Sequence, residues 1–198
     1  LKKDFSDKLP NETIMFLANY VSNNHDAICS LVKEMEYLKS YKKQMLEKLP
    51  YKNIPFFTVD TLVCCSGHVL LVERGRHPGK GLYAMPGGFF DGIVDNDFQE
   101  AAIRELVEET GIKVSKKELV KSIKASNIFS DKNRSERWRI VTNTFFIQLD
   151  GNELPVVKGG DDAANAVWVS FSDLGKYRNK LFEDHASIID VFLNVFNS

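Results

Sequence analysis

Three carboxylates stand within five residues at Glu105, Glu108 and Glu109, in the run Arg104-Glu105-Leu106-Val107-Glu108-Glu109-Thr110-Gly111-Ile112. The run reads as a helix closed by a glycine cap. At roughly 100° per residue the three side chains project within about 100° of one another, so like charges crowd one face and repel by a few tenths of a kcal/mol per pair. A cation removes that penalty. Hard divalent ions such as Mg²⁺ take oxygen ligands and commonly act on phosphate groups. A solvated acidic face would carry the same residues, but the surroundings favour chemistry: Pro86-Gly87-Gly88 makes a turn ahead of the helix, and Ile103, Leu106 and Val107 give it an apolar far side.

Two other stretches carry groups suited to a nucleotide. The segment Glu73-Arg74-Gly75-Arg76-His77-Pro78-Gly79-Lys80-Gly81 is basic and glycine-rich. Its backbone N–H groups, with Arg74, Arg76 or Lys80, can meet a phosphate, although a plain solvated turn uses the same residues. Between Phe129 and Trp138, the guanidinium groups of Arg134, Arg137 and Arg139 interleave with aromatics. Such a loop can stack on a base and pair with a diphosphate; a surface loop anchored by Trp138 is the alternative.

The elements that must position these groups follow from periodicity. Apolar residues spaced three or four apart predict two helices over 11–23 and 25–48, the second with the stripe Ile28, Leu31, Val32, Met35, Leu38, Tyr41 and Met45. This pair reads as an appended helical hairpin, with a coiled-coil dimer as the competing arrangement. After Pro50 the period becomes strand-like. Phe56 to Cys65 and His68 to Val72 read as a hairpin turning at Ser66-Gly67. Further strands are expected over 120–128, 139–149 and 167–169, and an amphipathic helix over 182–196. Strands flanked by helices give a mixed sheet between helical layers.

The stretch Gly87 to Ile112 resembles the Nudix box, G-x5-E-x7-R-E-U-x-E-E-x-G-U with U aliphatic, and its second half matches at every defined position. The first half departs from it: Asn96 stands where the family has its first Glu, and the interval from Gly88 is two residues longer than the pattern. Asp95 and Asp97 flank that position as substitutes. Further matches, among them Gly79 to Phe89, Arg134-Ser135, the run Glu153 to Ala163 and Glu183-Asp184-His185, are similar to the Nudix half of bifunctional nicotinamide mononucleotide adenylyltransferase/ADP-ribose pyrophosphatases. No HxGH-type motif of the adenylyltransferase half is present in the sequence.

The resemblance implies an α/β fold, an α/β/α sandwich around a mixed sheet over residues 53–198, preceded by a helical extension over 1–52. It implies metal-dependent hydrolysis of ADP-ribose to AMP and ribose 5-phosphate, with Mg²⁺ or Mn²⁺ as cofactor. Glu105 and Glu109 would be primary ligands, Glu108 would share an ion or order its water, and the Gly87 carbonyl would complete the shell. Asp161 or Asp162, with Asp162 preferred and Glu136 behind them, is the expected general base. Arg74, Arg134, Arg139 and Phe129 are the expected substrate contacts. The alternatives are another nucleoside diphosphate derivative (a sugar nucleotide, NADH or a diadenosine polyphosphate) and a non-catalytic ADP-ribose sensor.

Composition sets outer limits. A net charge of −1 over 198 residues gives no electrostatic footprint for nucleic acid or anionic lipid, so any phosphate recognition must be local. No apolar run reaches the length of a membrane span and no signal-peptide pattern opens the chain; it begins with Leu, as a fragment or processed form would. Cys29, Cys64 and Cys65 make no even disulfide framework, which suits a reducing cytoplasm. Four scattered histidines make a structural zinc site a poor reading. The expected partner is a small nucleotide, with a homodimer admitted by the resemblance.

Overall fold

The computed structural model describes residues 54–160 and 163–196, with positions 15, 20, 22–25, 29, 33, 36 and 40 before them. The helices expected over 11–23 and 25–48 thus lie mostly outside the described residues; the positions described there are helical apart from a turn at Asn24. The chain divides into a unit Leu1–Lys52 and a unit Asn53–Ser198. The second unit carries the carboxylates.

Its order is β1 (Phe56–Cys65), β2 (His68–Arg74), β3 (Tyr83–Ala84), β4 (Gly87–Phe89), α1 (Phe98–Thr110), α2 (Lys116–Lys121), β5 (Ile123–Phe129), β6 (Ile140–Leu149), β7 (Ala163–Ser170), α3 (Leu174–Tyr177), a 3₁₀ turn (Arg178–Lys180) and α4 (His185–Phe196). The seven described strands form one sheet ordered β3-β2-β1-β6-β5, with β4 on β1 and β7 on β2. β1 and β6 run parallel over ten paired positions, from Phe56↔Ile140 to Cys65↔Leu149. The other pairings are antiparallel, so the sheet is mixed. The hairpin turn is confirmed: Ser66 and Gly67 both adopt positive φ, 44° and 71°, the left-handed pair that a tight turn of this hand requires.

Strand alternation sorts the core into two sides. Val63 and Cys65 of β1, with Ile147 and Leu149 of β6, pack with Ile103 and Leu106 of α1. Leu62 and Cys64, with Phe146, pack with Ile188, Ile189 and Phe192 of α4. Helices therefore cover both faces, which is the sandwich expected from the sequence. Val59 joins the α1 side through Ala101 and Ala102.

One strand expectation needs correction. Residues 120–128 do not form one strand: Lys116–Lys121 is helical and the strand runs Ile123–Phe129. Ser115 caps the helix by accepting from the Glu118 amide, and the buried Leu119 anchors it in the core. The short β3 and β4 carry too few residues to show a period, and they were not expected. The last helix begins at His185, later than Phe182.

Candidate active site

The acidic helix is fixed at both ends. At its N-terminus Asp97 accepts from the Glu100 amide at 2.8 Å, and at its C-terminus Gly111, at φ 52°, returns its N–H to the Val107 carbonyl. The buried Ala101, Ala102, Ile103 and Leu106 hold one side to the sheet, which leaves the other side for Arg104, Glu105, Glu108 and Glu109.

The two extra residues ahead of the helix are taken up by a turn. The Asp95 amide donates to the Asp91 carbonyl, the Asp91 amide donates to the Asp95 carboxylate at 2.9 Å, and Ile93 in between is 97 % exposed. Asp95 is thereby carried inward, its side chain 1 % exposed, where it takes Arg104 in a bidentate pair with both contacts at 2.8 Å. Of the two candidates for the missing carboxylate, Asp95 thus holds the helix side chain and Asp97 caps the backbone. The Arg104 guanidinium holds the Asp95 carboxyl below its ordinary range despite burial. The same arginine reaches Glu105 at 2.7 Å and Glu108 at 3.1 Å through Nη1.

Gly87 and Gly88 lie so close to their neighbours that a side chain at Gly87 would strike backbone and one at Gly88 would displace the Glu105 carboxylate. A Cβ on Gly88 would sit 2.5–2.6 Å from the Glu105 carboxylate, and one on Gly87 would sit 2.2 Å from the Val59 carbonyl. The Gly87 amide donates to Glu109 Oε2 at 2.9 Å. Burial pushes the Glu109 carboxyl up to about 8, a shift that this hydrogen bond opposes and that the charges of Glu105 and Asp60 reinforce. A partly buried acid pushed up in this way is a group whose charge awaits a cation.

The donor set fits a hard divalent ion: three carboxylates and the Gly87 carbonyl, all oxygen. As they stand, no three acidic, imidazole or thiol groups among the described residues are grouped to hold a metal, and Arg104 bridges Glu105 and Glu108 instead. Glu105, Glu108 and Glu109 share one helix face beside Gly87, as the sequence predicted. The Gly159-Gly160 segment passes the end of that helix, the Gly160 amide donating to the Glu109 carbonyl at 2.9 Å. Asp161 and Asp162, the expected bases, lie outside the described residues. Glu136 is exposed.

A cavity of about 330 Å³ opens beside Gly87 and Glu109. Arg74 lines it, stacked at 4.0 Å over the Phe182 ring, with its Nε donating to the Pro78 carbonyl. Arg134 lines it as well, buried and paired through Nε and Nη2 with Asp184 at 2.9 and 2.8 Å. Arg137, which sequence reasoning left out of the binding set, forms a similar fork with Glu183 at 3.1 and 3.0 Å and also lies over the Phe182 ring, 5.2 Å from its centroid.

Two expected contacts go elsewhere. The Phe129 ring packs against Phe192 of α4, with centroids 6.1 Å apart, and Arg139 donates to the Asp131 carbonyl; neither lines the cavity. Phe129 ends a strand, so its side chain follows the strand's alternation into the core and away from the loop. Two titratable lining residues were not among the expected site residues. Asp60 is a lone carboxylate inside the apolar strand Phe56–Cys65, 7 % exposed; a charged residue in such a run is itself a signal. His185 is 5 % exposed and accepts from the Met85 amide through Nδ1 at 3.0 Å.

A family model described as NUDIX domain matches residues 56–192. The chain is 31% identical over 160 residues to an ADP-ribose pyrophosphatase of Methanocaldococcus jannaschii, covering 78% of this chain and 86% of that protein. It is 34% identical over 94 residues to the ADPR responsive transcriptional repressor NtrR of Acinetobacter baylyi, covering 46% of this chain and 35% of the repressor. Among solved structures, a bifunctional NMN adenylyltransferase/ADP ribose pyrophosphatase of Francisella tularensis, complexed with AMP and Mn ion, superposes with a TM-score of 0.70 at 34% identity. That match covers 92% of this chain and 52% of the other, so the chain spans about half the length of the bifunctional protein. Among the described residues no helix is long and apolar enough to cross a membrane.

Proposed function

Because the chain belongs to the NUDIX family, we propose that it hydrolyses the pyrophosphate of ADP-ribose to AMP and ribose 5-phosphate, with Mg²⁺ or Mn²⁺ held by Glu105, Glu108, Glu109 and the Gly87 carbonyl. One observation carries the reading: the raised Glu109 carboxyl and the Gly87-Gly88 turn stand at the edge of a cavity whose wall is arginine. A polyanion entering that cavity meets cationic groups on one side and an acidic metal cradle on the other. Similarity to an ADP-ribose pyrophosphatase supports the choice of substrate within the class.

In the reaction, water oxygen bonds to one phosphorus, the bridging P–O bond breaks, and the bridging oxygen leaves with the other phosphate. A divalent ion, when bound, neutralises charge on the pyrophosphate oxygens and makes water a better nucleophile. The chain's own residues do the rest. Arg74 and Arg137, both held over the Phe182 ring, offer guanidinium groups to the substrate. Arg134 commits Nε and Nη2 to Asp184 and has Nη1 for a phosphate oxygen. Asp95 locks Arg104, which sets the rotamers of Glu105 and Glu108. Asp162 takes the proton of the attacking water, a choice supported by the Gly160 amide two positions before it, which donates to the Glu109 carbonyl. Free thiols at Cys29, Cys64 and Cys65 fit a reducing compartment.

Incubation with ADP-ribose and Mg²⁺ or Mn²⁺, with products separated by ion exchange, tests the reading. AMP plus ribose 5-phosphate from the unaltered protein, and none from Glu109→Gln, is the expected result. Binding of ADP-ribose without product would replace hydrolysis by sensing.

A further inference from the structure

Asp60 and His185 are outside the proposed donor set and the arginine wall, yet both line the cavity, Asp60 with Oδ1 against Gly87, where a Cβ would stand 2.5 Å from it. Asp60 sits on the α4 side of β1, in alternation with Leu62 and Cys64, and α4 begins at His185. Each residue is more than nine-tenths buried, and each has one polar atom committed and one not. Asp60 Oδ2 accepts from the Thr142 hydroxyl at 2.6 Å, while Oδ1 has no hydrogen-bond donor among the described residues. His185 Nδ1 accepts from the Met85 amide, which fixes the tautomer: the proton is on Nε2. Burial, acting against the nearby charge of Asp60, keeps the imidazole neutral. Nε2–H has no acceptor among the described residues.

Burying a carboxylate oxygen and an N–H donor without partners costs free energy, and neither atom is sealed in the core; both have the cavity as their remaining outlet. The cavity therefore offers an acceptor and a donor, on two residues close enough for the Asp60 charge to act on the His185 ring. Phosphate oxygens answer only the donor and are repelled by the carboxylate. A ring nitrogen of a base answers only the donor too. A hydroxyl answers both: its oxygen accepts from Nε2–H while its hydrogen goes to Oδ1.

We propose that Asp60 and His185 form a hydroxyl-reading pair that binds a ribose hydroxyl of the substrate, an assignment that rests on the ADP-ribose reading above. The pair makes the site specific for a sugar-bearing diphosphate over one lacking that hydroxyl, because the deoxy compound leaves two buried polar atoms unanswered.

The test compares the unaltered protein with Asp60→Asn and His185→Gln on three substrates, with Mg²⁺ present: ADP-ribose, its analogue without the 2′ and 3′ hydroxyls of the adenosine ribose, and its analogue without the corresponding hydroxyls of the terminal ribose. Asp60→Asn keeps the shape and an oxygen for Thr142, and the melting temperature checks that each variant is folded. On ADP-ribose both variants should lose about 10- to 100-fold in kcat/KM. On the analogue that lacks the hydroxyl being read, variants and unaltered protein should be turned over alike. An equal loss on all three substrates by the folded Asp60→Asn protein would overturn the pair as a sugar reader and leave it a role in holding water or the fold. Should the unaltered protein hydrolyse neither ADP-ribose nor the analogues, the functional reading itself would fall, and the pair with it.

Discussion

The two charged walls that meet at the cavity, the acidic one reaching it through Glu109, solve opposite problems. On the acidic wall, three carboxylates (Asp95, Glu105 and Glu108) share a single arginine, with Asp95 taking both arms of its fork, while Glu109 accepts from the Gly87 amide instead. On the basic wall Arg134 and Arg137 each have a carboxylate of their own, Asp184 and Glu183. One wall keeps a carboxyl that burial pushes up to about 8, with the charges of Glu105 and Asp60 adding to the shift; on the other, Arg134 and Arg137 are paired before any substrate arrives. The acidic wall is thus completed by binding, whereas the basic wall is preorganised and gives up little entropy when it binds.

The sharpest way to break this contrast is Glu109→Gln, which keeps the shape and removes the charge. A loss of about 10³-fold in kcat is expected, the scale of a lost electrostatic group, read from AMP release at saturating ADP-ribose. Activity near that of the unaltered protein would mean that the acidic wall does not hold the ion. Asp95→Ala strikes the same wall through its support. It removes the partner of Nε and Nη2 from a partly buried guanidinium that keeps Glu105 and Glu108, and should cost about 2 kcal/mol of stability in denaturant unfolding. The Asp95 contribution has a defined pH window: its folded pKa is depressed, so it is fully present above the unfolded value of 3.8 and is lost as pH falls below that.

Glu109 predicts the reverse slope. In the unfolded chain it gives up its proton near 4.5, and in the folded, metal-free protein only near 8, so between those values the folded state binds the extra proton. Stability without metal should therefore fall as pH rises through that window, by at most about 1.4 kcal/mol per pH unit. Unfolding curves taken in chelator should show the slope, and Glu109→Gln should flatten it; a slope that survives the substitution belongs to another group. The smallest effect is expected on the basic wall. Arg137→Lys loses the fork with Glu183 and should raise KM a few-fold, about 1 kcal/mol or less, with kcat unchanged.

The acidic wall was legible in the sequence because it is local: a helix brings residues 105, 108 and 109 to one face whatever surrounds it. The sandwich was legible for another reason: strands as largely apolar as Phe56–Cys65, set between helical patterns, need cover on both faces. The basic wall is not local. Arg134 meets Asp184 and Arg137 meets Glu183 across nearly fifty positions, and nothing in the arginine loop tells which guanidinium turns inward. Phe129 was misplaced for that reason: it looked like part of the loop and proved to be the end of a strand. Asp60 and His185 were missed because one burial is hidden in an apolar run and the other at a helix start. The unusual spacing ahead of Asn96 was visible, but only the Asp91–Asp95 turn shows that the two extra residues bulge outward while Asp95 points in.

That bulge gives the protein a handle for optical work. Ile93 stands at its crest, 97 % exposed, on a turn whose base is tied to the helix by Asp95 and Arg104. Cys64 and Cys65 are buried and Cys29 only partly so, so with Cys29 replaced by serine an Ile93→Cys protein offers one accessible thiol for a dye. A fluorophore there would ride on the support of the acidic wall, and its emission should follow the docking of the ion in a sample too dilute for product analysis.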